Sequence, residues 1–330
     1  MRLYLVRHAW TMPTGPDPHR WPLSPEGEAE ARQLAQARFW RDIDSLYSSP
    51  EEKAVETVRS AAQQYRLEIR LDERLKEVRR PPGWADDYPA LVRRYLEEEK
   101  APEGWEPVGE ATERITACIR DVERKHEGER VAVCGHGLAL TLLLGTLDGV
   151  VGGPYTSWRL MGFGQVSVVE RGRLLQEFGD PERLGLVVRR AEQGDFAATS
   201  TLLAELGRPE VSDEQQEAAR QIYERHVNAE DVESLIVTRD STPVGFLSLH
   251  IRERLNHPTR EAWIPDLVVT EAEHGSGAAR MLFGRAVEVA REWGCHRLVL
   301  ESGDARKRAH RFYEREGMRE TGKYFAMELG

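Results

Sequence analysis

Short apolar runs that stop abruptly at polar residues punctuate the first half of this chain, with helical spacing between them. Residues 3–6 are continuously apolar, as expected of a parallel strand covered on both faces. Ser24 reads as a helix cap, with Pro25 in the first turn and a glutamate about three residues on, opening a helix to about Trp40. Residues 45–48 predict the end of a second strand, and 50–65 a helix. An amphipathic helix is expected over 110–126, a strand from Val131, and a further helix from Leu138. Residues 166–170 and 173–177 alternate around Gly172 as a closing hairpin. No obvious insertion is expected around residues 85–110.

The pattern breaks near residues 179–183, and a different order follows. A strand is predicted over 186–189, then a helical region through Leu206. Strands at 234–239 and 244–250 turn through Asp240-Ser241-Thr242-Pro243. A strand at 262–269, a helix over 276–293, a strand at 296–301 and a helix over 305–316 complete the chain. The expected organisation is two domains, 1–182 and 183–330: a three-layer α/β/α unit with a mostly parallel sheet, then an α+β unit with a mixed sheet.

Composition narrows the class. A length of 330 residues exceeds what one core usually serves. Hydrophobic residues at 40% and charged ones at 31% describe a folded globular chain. A formal charge of −10 argues against nucleic acid as partner, because phosphate backbones need a basic face. Cys118, Cys134 and Cys295 are odd in number and far apart, which suits neither a disulfide framework nor a metal knuckle. The first residues lack a secretory signal pattern, so the expected compartment is the cytoplasm. Residues 131–152 are apolar enough to resemble a membrane span, yet His136, Asp148 and several glycines interrupt them. A strand followed by a buried helix is the expected reading, with no membrane partner.

Chemistry enters where two of the apolar runs end. Arg7-His8 follows the first strand, and Gly135-His136-Gly137 follows the strand at Val131. Parallel strands deliver such residues to the carboxyl edge of a sheet, where ligands bind. Two histidines so placed, with an arginine and glycines, point to a phosphate pocket.

Five segments in order make residues 1 to about 180 resemble the histidine phosphatase (phosphoglycerate mutase-like) superfamily. They are Leu5-Val6-Arg7-His8-Ala9-Trp10-Thr11, Pro22-Leu23-Ser24-Pro25-Glu26-Gly27, residues 47–57, Leu75-Lys76-Glu77 and Gly135-His136-Gly137. The resemblance implies His8 as a nucleophile forming a phosphoenzyme, with Arg7, Lys53 and His136 gathering phosphate oxygens. Glu77 is the expected acid for the leaving group and then the base for water, and Glu73 is its alternative. This scheme requires no metal. Ala9 stands where the family has glycine, and Lys53 where it has arginine, which keeps the charge and loses the bidentate fork. His19 and Arg20 are further candidates for substrate contact, and Trp10, Trp21 and Trp84 for an apolar wall.

Residues from about 184 onward resemble the GNAT N-acetyltransferases. Pro265-Asp266-Leu267-Val268-Val269 matches their central strand, and His274-Gly275-Ser276-Gly277-Ala278-Ala279-Arg280 their glycine-rich turn. Ala309, Phe312, Tyr313 and Gly317 match a later helix. The resemblance implies acetyl-CoA as acyl donor, Val268 and Val269 backbone groups on the pantetheine arm, residues 274–280 around the pyrophosphate, and Tyr313 as proton donor to the thiolate. His274 stands where glutamine or arginine is usual. A base for the amine is left open among Glu261, Asp266 and water.

The expected protein is bifunctional, acting on a small phosphomonoester and acetylating an amine acceptor. One alternative makes the second domain a non-catalytic acyl-CoA sensor; another makes the first a phosphoglycerate mutase. The fusion suggests one pathway for both sites, with a phosphorylated amine or aminosugar as an example. Substrate identity and oligomeric state are not legible.

Overall fold

The computed structural model describes residues 1–83, 87–255, 257–322 and 327. The chain divides into two compact units, Met1–Leu184 and Gly185–Gly330.

The first unit is built on a six-stranded sheet. Its strands are β1 (Arg2–Arg7), β2 (Ser45–Ser48), β3 (Ile69–Leu71), β4 (Arg130–Gly135), β5 (Val166–Glu170) and β6 (Arg173–Gly179). They lie in the order β3-β2-β4-β1-β5-β6. The first four are parallel, and β5 and β6 add an antiparallel edge. Alternation along β1 shows why the strand is apolar throughout. Tyr4 and Val6 enter a core with Leu34, Trp40, Ala54 and Val58, whereas Leu3 and Leu5 enter another with Ile115, Val122, Leu140 and Leu143. The first core is supplied by α1 (Pro25–Leu34) and α2 (Glu52–Tyr65), and the second by α4 (Val108–Lys125) and α5 (Gly137–Leu144), with α3 (Tyr88–Glu97) introduced below. The result is the expected three-layer α/β/α arrangement.

Helix boundaries depart from expectation in two ways. Ser24 does cap α1, its hydroxyl accepting the Gly27 N–H at 3.1 Å, but the third helical position is this glycine and not a glutamate. A Cβ there would lie 1.9 Å from the Trp10 carbonyl oxygen, so the sequence has to be glycine where α1 meets the loop after β1. The helix ends at Leu34, short of Trp40, because the chain turns to bury Phe39 and Trp40. The Trp40 indole N–H then donates to the Leu34 carbonyl, a helix-end acceptor with no intrahelical partner.

Two helices lie where none was expected: α3, and α6 (Pro154–Leu160). Asp87 caps α3 and its only buried residues are Val92, Tyr95 and Leu96, a stripe too narrow to show above the charged residues around it.

The second unit has a mixed sheet in the order β11-β10-β9-β8-β7. The strands are β7 (Leu186–Arg190), β8 (Val232–Arg239), β9 (Thr242–Arg254), β10 (His257–Val269) and β11 (Cys295–Leu300). All neighbours are antiparallel except β10 and β11. Asp240 and Ser241 turn β8 into β9 with φ of 47° and 72°, the left-handed pair that matches strand twist. One core contains residues of α9 (Ala278–Glu292) and half-buried Phe312 of α10 (Lys307–Arg315); the other contains residues of α7 (Phe196–Glu205) and α8 (Gln216–Asn228). Polar α8 was not anticipated, since Tyr223 is its only buried residue. Among the described residues, no helix is long and apolar enough to cross a membrane.

Candidate active sites

The carboxyl ends of β1 and β4 bring His8 and His136 together, with ring centroids 5.1 Å apart. His8 Nδ1 lies 2.8 Å from the Ala9 carbonyl oxygen, which can only accept, so Nδ1 carries the proton and Nε2 keeps its lone pair. Ala9 is held in turn, its N–H donating to Thr57 Oγ1 at 2.8 Å while that hydroxyl donates to the Lys53 carbonyl. The strand end and the start of α2 therefore position His8 and the lysine as one unit.

The guanidinium of Arg7 lies over the Phe163 ring at 3.9 Å and donates to the Met161 carbonyl. Gly137 makes room for it, since a Cβ there would sit 3.4 Å from the guanidinium carbon. Lys53 is buried beside the histidines, with Nζ donating to the Pro18 carbonyl at 2.7 Å. His136 Nε2 is 2.7 Å from Ser49 Oγ. Among the described residues, seven buried side-chain atoms have no hydrogen-bond partner, and three of them cluster here: Arg7 Nε, His136 Nδ1 and Glu51 Oε2. Orphaned polar atoms are costly unless a partner satisfies them.

Glu77 takes a different place from a free acid. Its Oε1 accepts the N–H groups of Val78 and Ala139, both at 2.9 Å, and its Oε2 that of Leu138 at 3.1 Å. Burial pushes its carboxyl up, but His136, Arg80 and these N–H donors outweigh burial and hold it below the usual range. Glu73 is not in this cluster; it pairs with Lys76. Arg20 is exposed and pairs with Asp17, whereas His19 turns inward with Nδ1 3.1 Å from Glu51 Oε1. Trp10 is half-exposed, edge-on to Phe163, and Trp21 donates to the Gly15 carbonyl. Trp84 lies outside the described residues. Sequence reasoning missed Glu51, Phe163 and Arg80, whose guanidinium lies over the Tyr88 ring. Glu51 alone had a signal: it stands two residues before Lys53, at the cap of α2.

Both histidines are uncharged. Burial is the main cause: it lowers His8 well below 6.5, aided by His136, Lys53 and Arg7. It lowers His136 to about 4, against the pull of Glu51. His136 was expected to contribute positive charge; in this structure it offers a neutral ring instead. A stability consequence follows. Unfolded histidine titrates near 6.5, so below that pH the unfolded chain binds protons that the native state excludes, and stability falls toward pH 4. For His136 alone the loss approaches about 3 kcal/mol. The melting temperature of the intact protein is expected to fall from pH 7 to pH 4.5, with a smaller slope in His136→Asn. An equal slope in both proteins would contradict this account.

In the second unit, pairing of β10 with β11 ends at Ile264 and Leu300, while β10 stays paired with β9 to Val269. The edge of β10 that carries Val268 and Val269 is therefore left without β11. Both valines are buried. An open cleft of about 520 Å³ beside it is lined by Glu205, Val269, Thr270, Glu271, Ala272 and His274. The turn after it needs φ of +89° at Gly275 and +86° at Gly277, and α9 starts at Ala278. The N–H groups of that first turn, at Ala279 and Arg280, suit a pyrophosphate. Ser276 Oγ accepts from the Ala278 N–H at 3.4 Å, and Arg280 pairs with Glu316. Arg308 Nη1 lies 2.8 Å from His274 Nδ1, which puts an arginine at the corner where His274 replaces the usual residue.

Tyr313 lies on α10 beside Phe312 and Phe283, and burial raises its hydroxyl, so it keeps its proton. Neither candidate base is free. Glu261 is fully buried against Arg297, and Asp266 pairs with Arg208 at 2.8 Å. The sequence had offered both because strand position says nothing of cross-strand partners.

Known proteins resemble each part of the chain. The family model of the histidine phosphatase superfamily (branch 1) matches residues 3–174, and that of the acetyltransferase (GNAT) family matches residues 199–318. An aminoalkylphosphonate N-acetyltransferase of Salmonella typhimurium is 29% identical over 142 residues, 43% of this chain and 90% of its own. Phosphoserine phosphatase 1 of Hydrogenobacter thermophilus is 29% identical over 168 residues, 46% of this chain and 77% of its own. A probable phosphoglycerate mutase, GpmB, of an Enterobacter species is 28% identical over 172 residues, covering 46% and 76%. The chain belongs to the histidine phosphatase superfamily (branch 1) and carries an acetyltransferase domain of the GNAT family behind it.

Proposed function

We propose that this protein hydrolyses a small phosphomonoester through a phosphohistidine and transfers an acetyl group from acetyl-CoA to an amine. The observation that supports the first activity best is the facing pair His8 and His136, with Arg7 and Lys53 buried around them. His8 Nε2 attacks phosphorus, the N–P bond forms, and the P–O bond to the alcohol breaks. Arg7 and Lys53 balance charge on the phosphoryl oxygens, and one His136 nitrogen donates to them. Glu77 gives the leaving oxygen its proton and later takes one from water. The incoming dianion raises a neighbouring carboxyl, which brings Glu77 back toward the range an acid needs. The positive charge comes from side chains, so no metal is expected.

For the second activity, acetyl-CoA supplies the acetyl group as a thioester. The backbone edge at Val268 and Val269 and the turn at residues 274–280 would hold it. The Tyr313 hydroxyl holds the proton for the departing sulfur.

The substrates are proposed as phosphorylated amines. Two relatives are named for compounds that carry both phosphorus and an amine, and one chain here would serve both chemistries. The test is phosphate release from a panel of phosphomonoesters with chelator present, beside acetylation of amines on that panel. Chelator-resistant release, highest for amino compounds, is expected. Release that requires added metal, or none from any ester, would overturn the phosphatase scheme.

A further inference from the structure

A buried carboxylate sits against two of the groups assigned to the phosphate, Lys53 and His136. Glu51 is 6% exposed. Its Oε1 accepts the Glu77 N–H at 3.0 Å and lies 3.1 Å from His19 Nδ1 and 3.7 Å from His136 Nε2. Its Oε2 is 2.9 Å from Lys53 Nζ without the alignment of a hydrogen bond. The lysine charge is thus already balanced in this structure.

Counting the pocket gives three cations, Arg7, Lys53 and Arg80, against two carboxylates, Glu51 and Glu77, with His8 and His136 neutral. A dianion added to that set leaves one uncompensated negative charge in a buried site, where such charge is far costlier than in water. Either a proton enters or Glu51 moves out. The second route is blocked, since the Glu77 N–H and His19 hold Oε1 from two separate segments. The first route is open: His19 sits in the short turn Pro18–Arg20, with its side chain 24% exposed, and joins Glu51 to solvent.

The groups facing Glu51 come from four elements. They are Lys53 from α2, His19 from the turn, His136 from the β4–α5 junction and Glu77 from the loop before Val78. His8 couples to it only through Lys53 and His136. Asp17 accepts the His19 backbone N–H and fixes the turn. Burial would push Glu51 up, but His136, the His19 hydrogen bond and Lys53 together hold it down. A dianion that recruits Lys53 removes one of these supports and adds a like charge.

We propose that the His19–Glu51 pair takes up a proton from solvent when the phosphate ester binds, releasing Lys53 to the phosphoryl oxygens. Glu51 is then a positioning residue, and it sets the upper pH limit of ester binding. No bond is made or broken: one proton enters the hydrogen bond between His19 Nδ1 and Glu51 Oε1, and the ammonium turns from carboxylate to ester. This rests on the phosphate-site reading above.

Sulfate is the probe, because it stays a dianion at every pH used. Calorimetry of sulfate binding to the full-length protein, in two buffers of different ionisation enthalpy, should report uptake of about one proton at pH 7. Affinity should fall about tenfold per pH unit from pH 7 to 8.5, the slope one coupled proton requires. In Glu51→Gln the uptake should drop toward zero and the affinity should become flat with pH. Sulfate bound by the wild type without proton uptake would overturn the inference and leave the phosphate pocket standing. No binding at any pH would overturn both. The wild-type measurement decides even if the variant does not fold.

Discussion

Replacing His8 with alanine is expected to lower phosphate release by on the order of 10⁶-fold, the scale seen when a catalytic nucleophile is removed, while acetyl transfer stays unchanged. Three features of the structure make His8 hard to replace. Its tautomer is set by the Ala9 carbonyl, which aims Nε2 away from the backbone. Burial keeps the ring neutral, so the lone pair is available across the cellular pH range. The neighbouring imidazole is tied down on one side, with His136 Nε2 at 2.7 Å from Ser49 Oγ. Phosphate release under saturating ester, with an alkaline denaturing quench to preserve the acid-labile phosphohistidine, checks the expectation. A wild-type protein that labels and an alanine variant that does not would support it. An alanine variant that still labels would move the nucleophile elsewhere.

The second large effect belongs to Tyr313. Changing it to phenylalanine removes only the hydroxyl, and packing against Phe283 and Phe312 should survive. The rate of acetyl transfer is expected to fall about 10²-fold or more, the usual contribution of a positioned proton donor. Binding of acetyl-CoA should change by less than about twofold, since the cradle is made from the β10 edge and the turn at Gly275 and Gly277. A steady-state assay over an amine panel, with binding measured in parallel, separates the two terms. Equal turnover in the variant would remove Tyr313 from the chemistry. Tight binding with no turnover in the wild type would instead favour an acyl-CoA-sensing domain.

Much of this was legible before any coordinates. Apolar runs ending at Arg7-His8 and at Gly135-His136 announced a parallel sheet and its ligand edge, because a strand covered on both faces has no polar positions to spare. The glycine turn at residues 275–277 announced a helix start open to an anion, because positive φ is cheap only for glycine. Local rules of this kind act over a few residues, so sequence alone can state them. Helices such as α3 and α8 escaped because each buries so few residues that amphipathicity fades into the surrounding charge.

What only the tertiary structure decided is the state of each group. Whether Glu77 is a free acid or a carboxylate tied to three N–H donors depends on where α5 starts, far along the chain from it. Whether Lys53 is available to phosphate depends on Glu51 and on Pro18, brought in from another loop. Glu261 looked like a base until Arg297 covered it across the β10–β11 pair. Charge, protonation and access arise from desolvation and from partners distant in sequence, and those exist only once the chain has closed around them. The residue types that perform the chemistry are therefore written along the chain, and their protonation is written in its packing.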